Sequence, residues 1–269
     1  MTTDIAVPMH DLQEAVHGDG LDYITGSPHL RHAYLNSWMR DTLNAVVAAL
    51  GDRRGRAPRV IEVGAGHGGF TETLVAAGAE VVVTEMSGPS AALLRDRFRH
   101  NPHVTVHHDL DGRLDMHGEV DLVVYMSVLH HIPDYLASLH EAGRIIAPGG
   151  AIVSFQDPLY YPRQPRSAVA LSRAATLAWR VTEGELGRGF RTMSRRLRGV
   201  YDESVPSDMS EYHVVRDGVD EQAIAALLDL SFDTVDVHPY FSTQGGWVQE
   251  VGRRLLRPNT FGVVATDRR

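Results

Sequence analysis

The chain contains no cysteine and, although it carries 26 basic residues, no lysine. The first absence removes disulfides, thiolate metal sites and cysteine nucleophiles together. The second removes Schiff-base amine chemistry and the lysine of a Walker-type phosphate loop, so arginine is the sole strong cation. Positive charge is also outweighed: 34 acidic residues give a formal net charge of -8, which argues against a general nucleic-acid binder and favours a small-molecule substrate. No uncharged apolar run approaches membrane-spanning length, and Met1-Thr2-Thr3-Asp4 lacks a basic segment leading into an apolar core. A soluble, cytoplasmic protein is expected. Its 269 residues, 43% of them hydrophobic, are enough for one well-buried domain with additions, and no repeat or low-complexity tract interrupts them.

What is present is a rhythm. Short apolar runs rich in β-branched residues at 60–63, 81–84, 104–107, 122–126 and 151–155 alternate with helical patterns at 70–77, 90–98 and 135–146. That alternation predicts a doubly wound α/β fold with a mostly parallel sheet. Pro148-Gly149-Gly150 is expected to break the chain before the fifth strand. Residues 1–50 read as an N-terminal helical cap, with His32, Leu35, Trp38 and Met39 on one face by helical spacing. Residues 56–156 read as the core of the alternating sheet. From 157 to 215 the rhythm gives way to helix-like stretches dense in arginine, among them Arg188, Arg191, Arg195, Arg196 and Arg198, which suggests a helical lid between strands five and six. Residues 216–269 complete the sheet with a helix at 220–230 and strands at 232–237 and 261–266.

The most informative stretch is Val60-Ile61-Glu62-Val63-Gly64-Ala65-Gly66-His67-Gly68-Gly69-Phe70, an apolar strand entering a glycine turn and then a helix. Such a turn lets the backbone approach a nucleotide and the next helix pack on the strand. Gly64-x-Gly66-x-x-Gly69 fits a dinucleotide fingerprint, and Glu62-x-Gly64-x-Gly66-x-Gly68 fits an acidic-glycine cofactor signature equally well.

Four further segments follow in order: the acid Glu85 at the second strand's end, Asp109-Leu110 after the third, Asp121-Leu122-Val123-Val124-Tyr125-Met126-Ser127-Val128-Leu129-His130-His131-Ile132-Pro133-Asp134 across the fourth, and Arg144-Ile145-Ile146-Ala147-Pro148-Gly149-Gly150 before the fifth. With the glycine turn they make the chain resemble the class I S-adenosylmethionine (SAM)-dependent methyltransferases, over roughly residues 56–266. The resemblance implies a seven-stranded sheet with an antiparallel last strand. SAM is the implied cofactor and S-adenosylhomocysteine (SAH) the implied product. Gly64, Ala65 and Gly66 would approach the cofactor's amino-acid tail, with Glu62 holding the turn or the amino group. Glu85, about 20 residues past the first glycine, suits the ribose hydroxyls, with Met86 beside it. Asp109 and Leu110 would read the adenine edge, and Ser127 lies at a strand end where such folds hold ligands. Tyr23 and His32, in the segment that also carries Ser27 and His29, would fold over the cofactor.

For transfer to a hydroxyl, a base near neutral pKa is needed, and His130, His131 and His213 are the candidates, undecided among themselves. Tyr125-Met126-Ser127 stands where metal-dependent relatives carry an aspartate, so a metal-independent reaction is expected. Tyr160, Tyr161, Trp179, Phe190 and Tyr201 could form an aromatic acceptor pocket, while the lid arginines suit a carboxylate, a phosphate or an acidic carrier protein, or form a solvated helix face. The expectation is a methyltransferase acting at oxygen or nitrogen of a small molecule, a specialised metabolite. A SAM-binding cyclase or pericyclase on the same fold is the alternative.

Overall fold

The structure, a computed structural model, describes residues 27–170 and 218–269. A short helix α1 (Pro28–Arg31) leads into the long helix α2 (Ala33–Arg54). Strand β1 (Arg59–Val63), α3 (Gly69–Ala76), β2 (Glu80–Glu85), α4 (Gly88–Phe98), β3 (Val104–His108), β4 (Val120–Met126), α5 (Tyr135–Ile145) and β5 (Ile146–Pro158) then alternate. The chain closes with α6 (Glu221–Leu228), β6 (Phe232–Tyr240), α7 (Gly246–Leu255) and β7 (Thr260–Arg268). No helix among the described residues is long and apolar enough to cross a membrane.

The strands form one seven-stranded sheet in the order β3-β2-β1-β4-β5-β7-β6. The first five are parallel, and β7 runs antiparallel between β5 and β6. Every residue of β4 is buried, Asp121 included, as the apolar run from Leu122 to Met126 requires of a strand covered on both faces. Alternation across the pleat divides the core. Val60, Leu122, Val124 and Val153 pack with Leu35, Met39, Leu43 and Val47 of α2 on one face. Ile61, Val123, Tyr125 and Ile152 pack with Leu139 and Ala142 of α5 and Ile224 and Leu228 of α6 on the other. Strand order reverses between β1 and β4, so a crevice opens at their carboxyl ends.

Three local features differ from the sequence reading. α5 stops at Ile145, and Pro148-Gly149-Gly150 lies inside the fifth strand as an irregularity: Val120 pairs with Ile146 and Leu122 with Ala151. Arg53 Nη1 and Arg54 Nη2 donate to the carbonyls of Gly149 and Pro148 at 2.6 and 2.7 Å, replacing the ladder partners the bulge forfeits. The fifth strand also runs on to Pro158, so Asp157 belongs to the sheet and not to the region beyond it. Helix α7 carries no apolar run that marks it: Trp247, Val251 and Leu255 stand exposed, and Gln249 and Gly252 are its buried residues.

Gly262 of β7 pairs with Phe155 of β5 and leaves room for its ring; a methyl group on Gly262 would lie 2.2 Å from Phe155 Cδ1. Phe155 is wholly buried and cannot give way cheaply. Gly262→Ala is therefore expected to cost about 1–3 kcal/mol and to lower Tm by roughly 3–10 °C, measured by thermal melting.

Candidate active site

The site grows from the carboxyl edge of the sheet. Gly64, Gly66 and Gly68 all take left-handed φ values, of 64°, 56° and 79°. The close approach matters most at Gly64, where a Cβ would meet Val128 of the turn after β4 at 3.0 Å, and at Gly68, where it would strike Phe98 of α4 at 2.7 Å. Glycine thus brings β1, β4 and α4 together around one open loop.

Two buried acids hold that loop from below. Glu85 at the end of β2 accepts from the Gly66 and Ser87 amides at 3.0 and 2.9 Å, tying the glycine loop to the start of α4. Burial raises its carboxyl, and these amide bonds oppose the shift. Glu62, 1% exposed, accepts from the Thr71 hydroxyl of α3. Burial pushes Glu62 up to about 7. Met86 and Asp109 flank Glu85: the Met86 carbonyl is 3.0 Å from His108 Nε2, and the Asp109 amide donates to the Glu85 carbonyl. Asp109 Oδ1 accepts from the amides of Asp111 and Gly112, a local turn that leaves Oδ2 uncommitted among these bonds, and Leu110 beside it is exposed. Glu62, Gly64, Ala65, Gly66, Glu85, Met86, Asp109 and Leu110 thus follow one continuous edge from β1 to β3.

The other half of the site lies over β4 and β5. Ser127 has φ 62° and donates its amide to the Phe155 carbonyl, while Gln156, next to it on β5, has φ 71°. Non-glycine residues in this region are uncommon and cluster at functional sites. Immediately beyond, Asp157 is wholly buried and accepts from the His130 amide at 3.1 Å, from His130 Nδ1 at 2.8 Å and from the Ser154 hydroxyl at 2.9 Å. A carboxylate only accepts, so Nδ1 carries the proton and Nε2 is the nitrogen able to take one. The half-buried His131 ring lies 4.0 Å from that of His130.

His32 is brought to the same end of the molecule, but its Nε2 lies 2.8 Å from the Thr243 carbonyl, which joins the N-terminal helices to the loop after β6. His29, one turn earlier, is buried, with burial first and the His130 charge second pushing it down to about 3. Its Nδ1 and the Thr243 hydroxyl are buried without a hydrogen-bond partner. Tyr160 sits under the Arg163 guanidinium, which also pairs with Asp220 and Glu221. Tyr23, His213, Trp179, Phe190, Tyr201 and the five lid arginines lie outside the described residues. Asp157 is the site residue that the sequence reading missed. Its signal was an acid closing an apolar strand that neighbours the strand carrying the histidine pair.

A family model for the methyltransferase domain matches residues 35–196, more than half of the chain. The chain belongs to the methyltransferase domain family. Among curated relatives, a ubiquinone biosynthesis O-methyltransferase of Aromatoleum aromaticum is 31% identical over 97 residues, 35% of this chain and 42% of that one. A highly reducing polyketide synthase of Strobilurus tenacellus is 32% identical over 130 residues, 44% of this chain and 5% of that one. The chain therefore spans less than half the length of either relative. Among solved structures, the N-methyltransferase NodS from Bradyrhizobium japonicum, in complex with SAH, superposes with a TM-score of 0.57 over 97% of this chain and 99% of that one, at 11% identity. That likeness establishes the fold of this methyltransferase domain, and family membership resolves the two fingerprints of the glycine loop in favour of the acidic-glycine one.

The Glu62 carboxyl gives a pH test. Its folded pKa lies above its unfolded one, so the stability it contributes is full below about 4.5 and is lost as pH rises to about 7. Glu62→Gln keeps an acceptor for Thr71 without the charge. Relative to wild type, the variant is expected to gain up to about 3 kcal/mol between pH 4.5 and 8, read from urea denaturation at both pH values.

Proposed function

We propose that this methyltransferase domain uses SAM to methylate an oxygen or nitrogen of a small molecule without a metal, with His130 as the base that takes the acceptor's proton. The observation that carries the reading is the buried His130–Asp157 contact. Asp157 fixes the tautomer and ring plane, and the two bonds from His130 hold the imidazole where the turn after β4 meets the crevice.

The residues present fit the cofactor. The open glycine loop offers backbone to an amino-acid tail, Glu85 retains lone pairs for ribose hydroxyls, and Asp109 and Leu110 stand one strand further on for an adenine edge. When bound, SAM supplies a methyl group on a sulfonium that a lone pair can displace in line. The protein's part is to align the acceptor, hold its proton on His130 and keep water out, which together supply much of the acceleration in displacements of this kind. Ser127, just past the end of β4, and Gln156, at the irregularity within β5, both hold left-handed φ values on what this reading takes as the acceptor side. The arginine-rich sequence between β5 and α6 is where recognition of an anionic or carrier-bound acceptor belongs in this reading. A ubiquinone biosynthesis O-methyltransferase among the relatives supports a small-molecule acceptor, and a polyketide synthase among them supports a specialised metabolite.

The test is SAH release from SAM across a panel of phenols, hydroxy acids and amines. With an acceptor in hand, Asp157→Asn is expected to lower kcat about 10²–10⁴-fold while SAM affinity stays within about threefold. Single alanine variants of His130, His131 and His213 separate the base from its neighbours: only the His130 variant should match that loss. Conversion of an acceptor with no SAH formed would point instead to a non-methylating enzyme on this fold, and binding of NAD but not SAM would remove the cofactor assignment.

A further inference from the structure

We infer that His29 accepts a hydrogen bond from the α-ammonium group of the cofactor's amino-acid tail. This rests on the SAM reading above and assigns a residue to a part of that ligand. The His29 ring stacks on Phe70, in the first turn of the helix after the glycine loop, with centroids 5.8 Å apart and planes 20° from parallel. Its neighbour Leu30 comes within 3.6 Å of where a Cβ on Gly69 would stand. Asn36 Nδ2 donates to the His29 carbonyl at 3.0 Å, Arg40 Nε donates to Asn36 Oδ1 at 2.7 Å, and Arg40 Nη2 reaches the Gly69 carbonyl at 3.1 Å. The histidine is thus fastened to the rim of the glycine loop. The ring stands at the start of α3, and it is also near enough to His130, in the turn after β4, for that residue to lower its pKa further.

Nδ1 of His29 is buried there and unpartnered, on a ring 3% exposed. A buried polar atom left without a partner is costly, and the group that satisfies it is expected to be a ligand. The surroundings hold the imidazole neutral, and the tautomer this inference assigns carries the proton on Nε2, so that Nδ1 presents a lone pair. Of the cofactor's parts, the ribose and adenine belong over β2 and β3, one and two strands away, and a carboxylate has no hydrogen to give. The ammonium is the remaining donor at the β1–β4 crevice, and a neutral imidazole spares it the repulsion a protonated one would exert.

Three ligands resolve the contact by calorimetry: SAH, its amine-only analogue S-adenosyl-3-thiopropylamine, and 5′-methylthioadenosine, which lacks the tail. His29→Phe keeps the stack on Phe70 and is expected to weaken SAH and the thiopropylamine about tenfold or more, while methylthioadenosine stays within twofold. His29→Gln, which retains an acceptor, should recover most of the loss. Equal weakening of all three ligands, weakening of SAH alone, or no weakening each overturns the inference. If wild type binds none of the three, it is the SAM reading that fails.

Discussion

A carboxylate withdrawn from water must be met by donors, and Asp157 sets that condition for much of this protein. Two of its donors come from His130 and one from Ser154, so the end of β5, the turn after β4 and the imidazole are fixed together. Glu85 repeats the arrangement at the end of β2 with two backbone amides, and Glu62 at the end of β1 with a threonine hydroxyl. Three neighbouring regions of one sheet edge are therefore organised around acids that would be unfavourable if left unsolvated. The loops between them follow from that requirement as much as from their own turn chemistry.

The C-terminal hairpin is coupled to the same edge. Tyr240 accepts from the Gln156 amide and donates to its side-chain oxygen, while Gln156 Nε2 donates to Ser242. The left-handed conformation of Gln156 is thus held by residues of β6 and the loop after it, and Asn259 bonds Ser242 in both directions. An antiparallel pair that looks peripheral in strand order keeps a strained residue beside the histidine turn.

Most of the parallel half of the sheet was legible in the sequence because β1, β2, β4 and β5 hold short apolar, β-branched runs, a signature that survives without tertiary knowledge, while β3 alternates valine with threonine and histidine. The residues proposed for the cofactor could be picked out for a related reason: each sits within a few positions of a strand end. His130 and Asp157 are 27 residues apart, and their meeting depends on the register that sets Met126 beside Phe155. No local pattern encodes that register. The extension of β5 past Phe155 was hidden because a positive φ at Gln156 bends the strand without ending it. Helix α7 escaped notice because its apolar residues face outward and a glycine pair precedes Trp247. His29 and His32 look equivalent as a spaced pair, yet one is buried against Phe70 and the other reaches the Thr243 carbonyl, a difference that only packing creates.

Helix α2, at 22 residues, is about 33 Å long and runs from the glycine loop at the carboxyl ends of the strands to the irregularity near the start of β5. At its C-terminal end Arg53 and Arg54 grip the bulge in β5, while Arg54 also joins Arg56 around the buried Asp121. At its N-terminal end Arg40 holds the glycine-loop helix and His32 holds the loop after β6. One rod therefore fastens both ends of the nucleotide half to the hairpin half. A transplant of the motif-bearing core alone, however faithfully it kept the glycine loop, would carry the joints of the frame without its crossbeam.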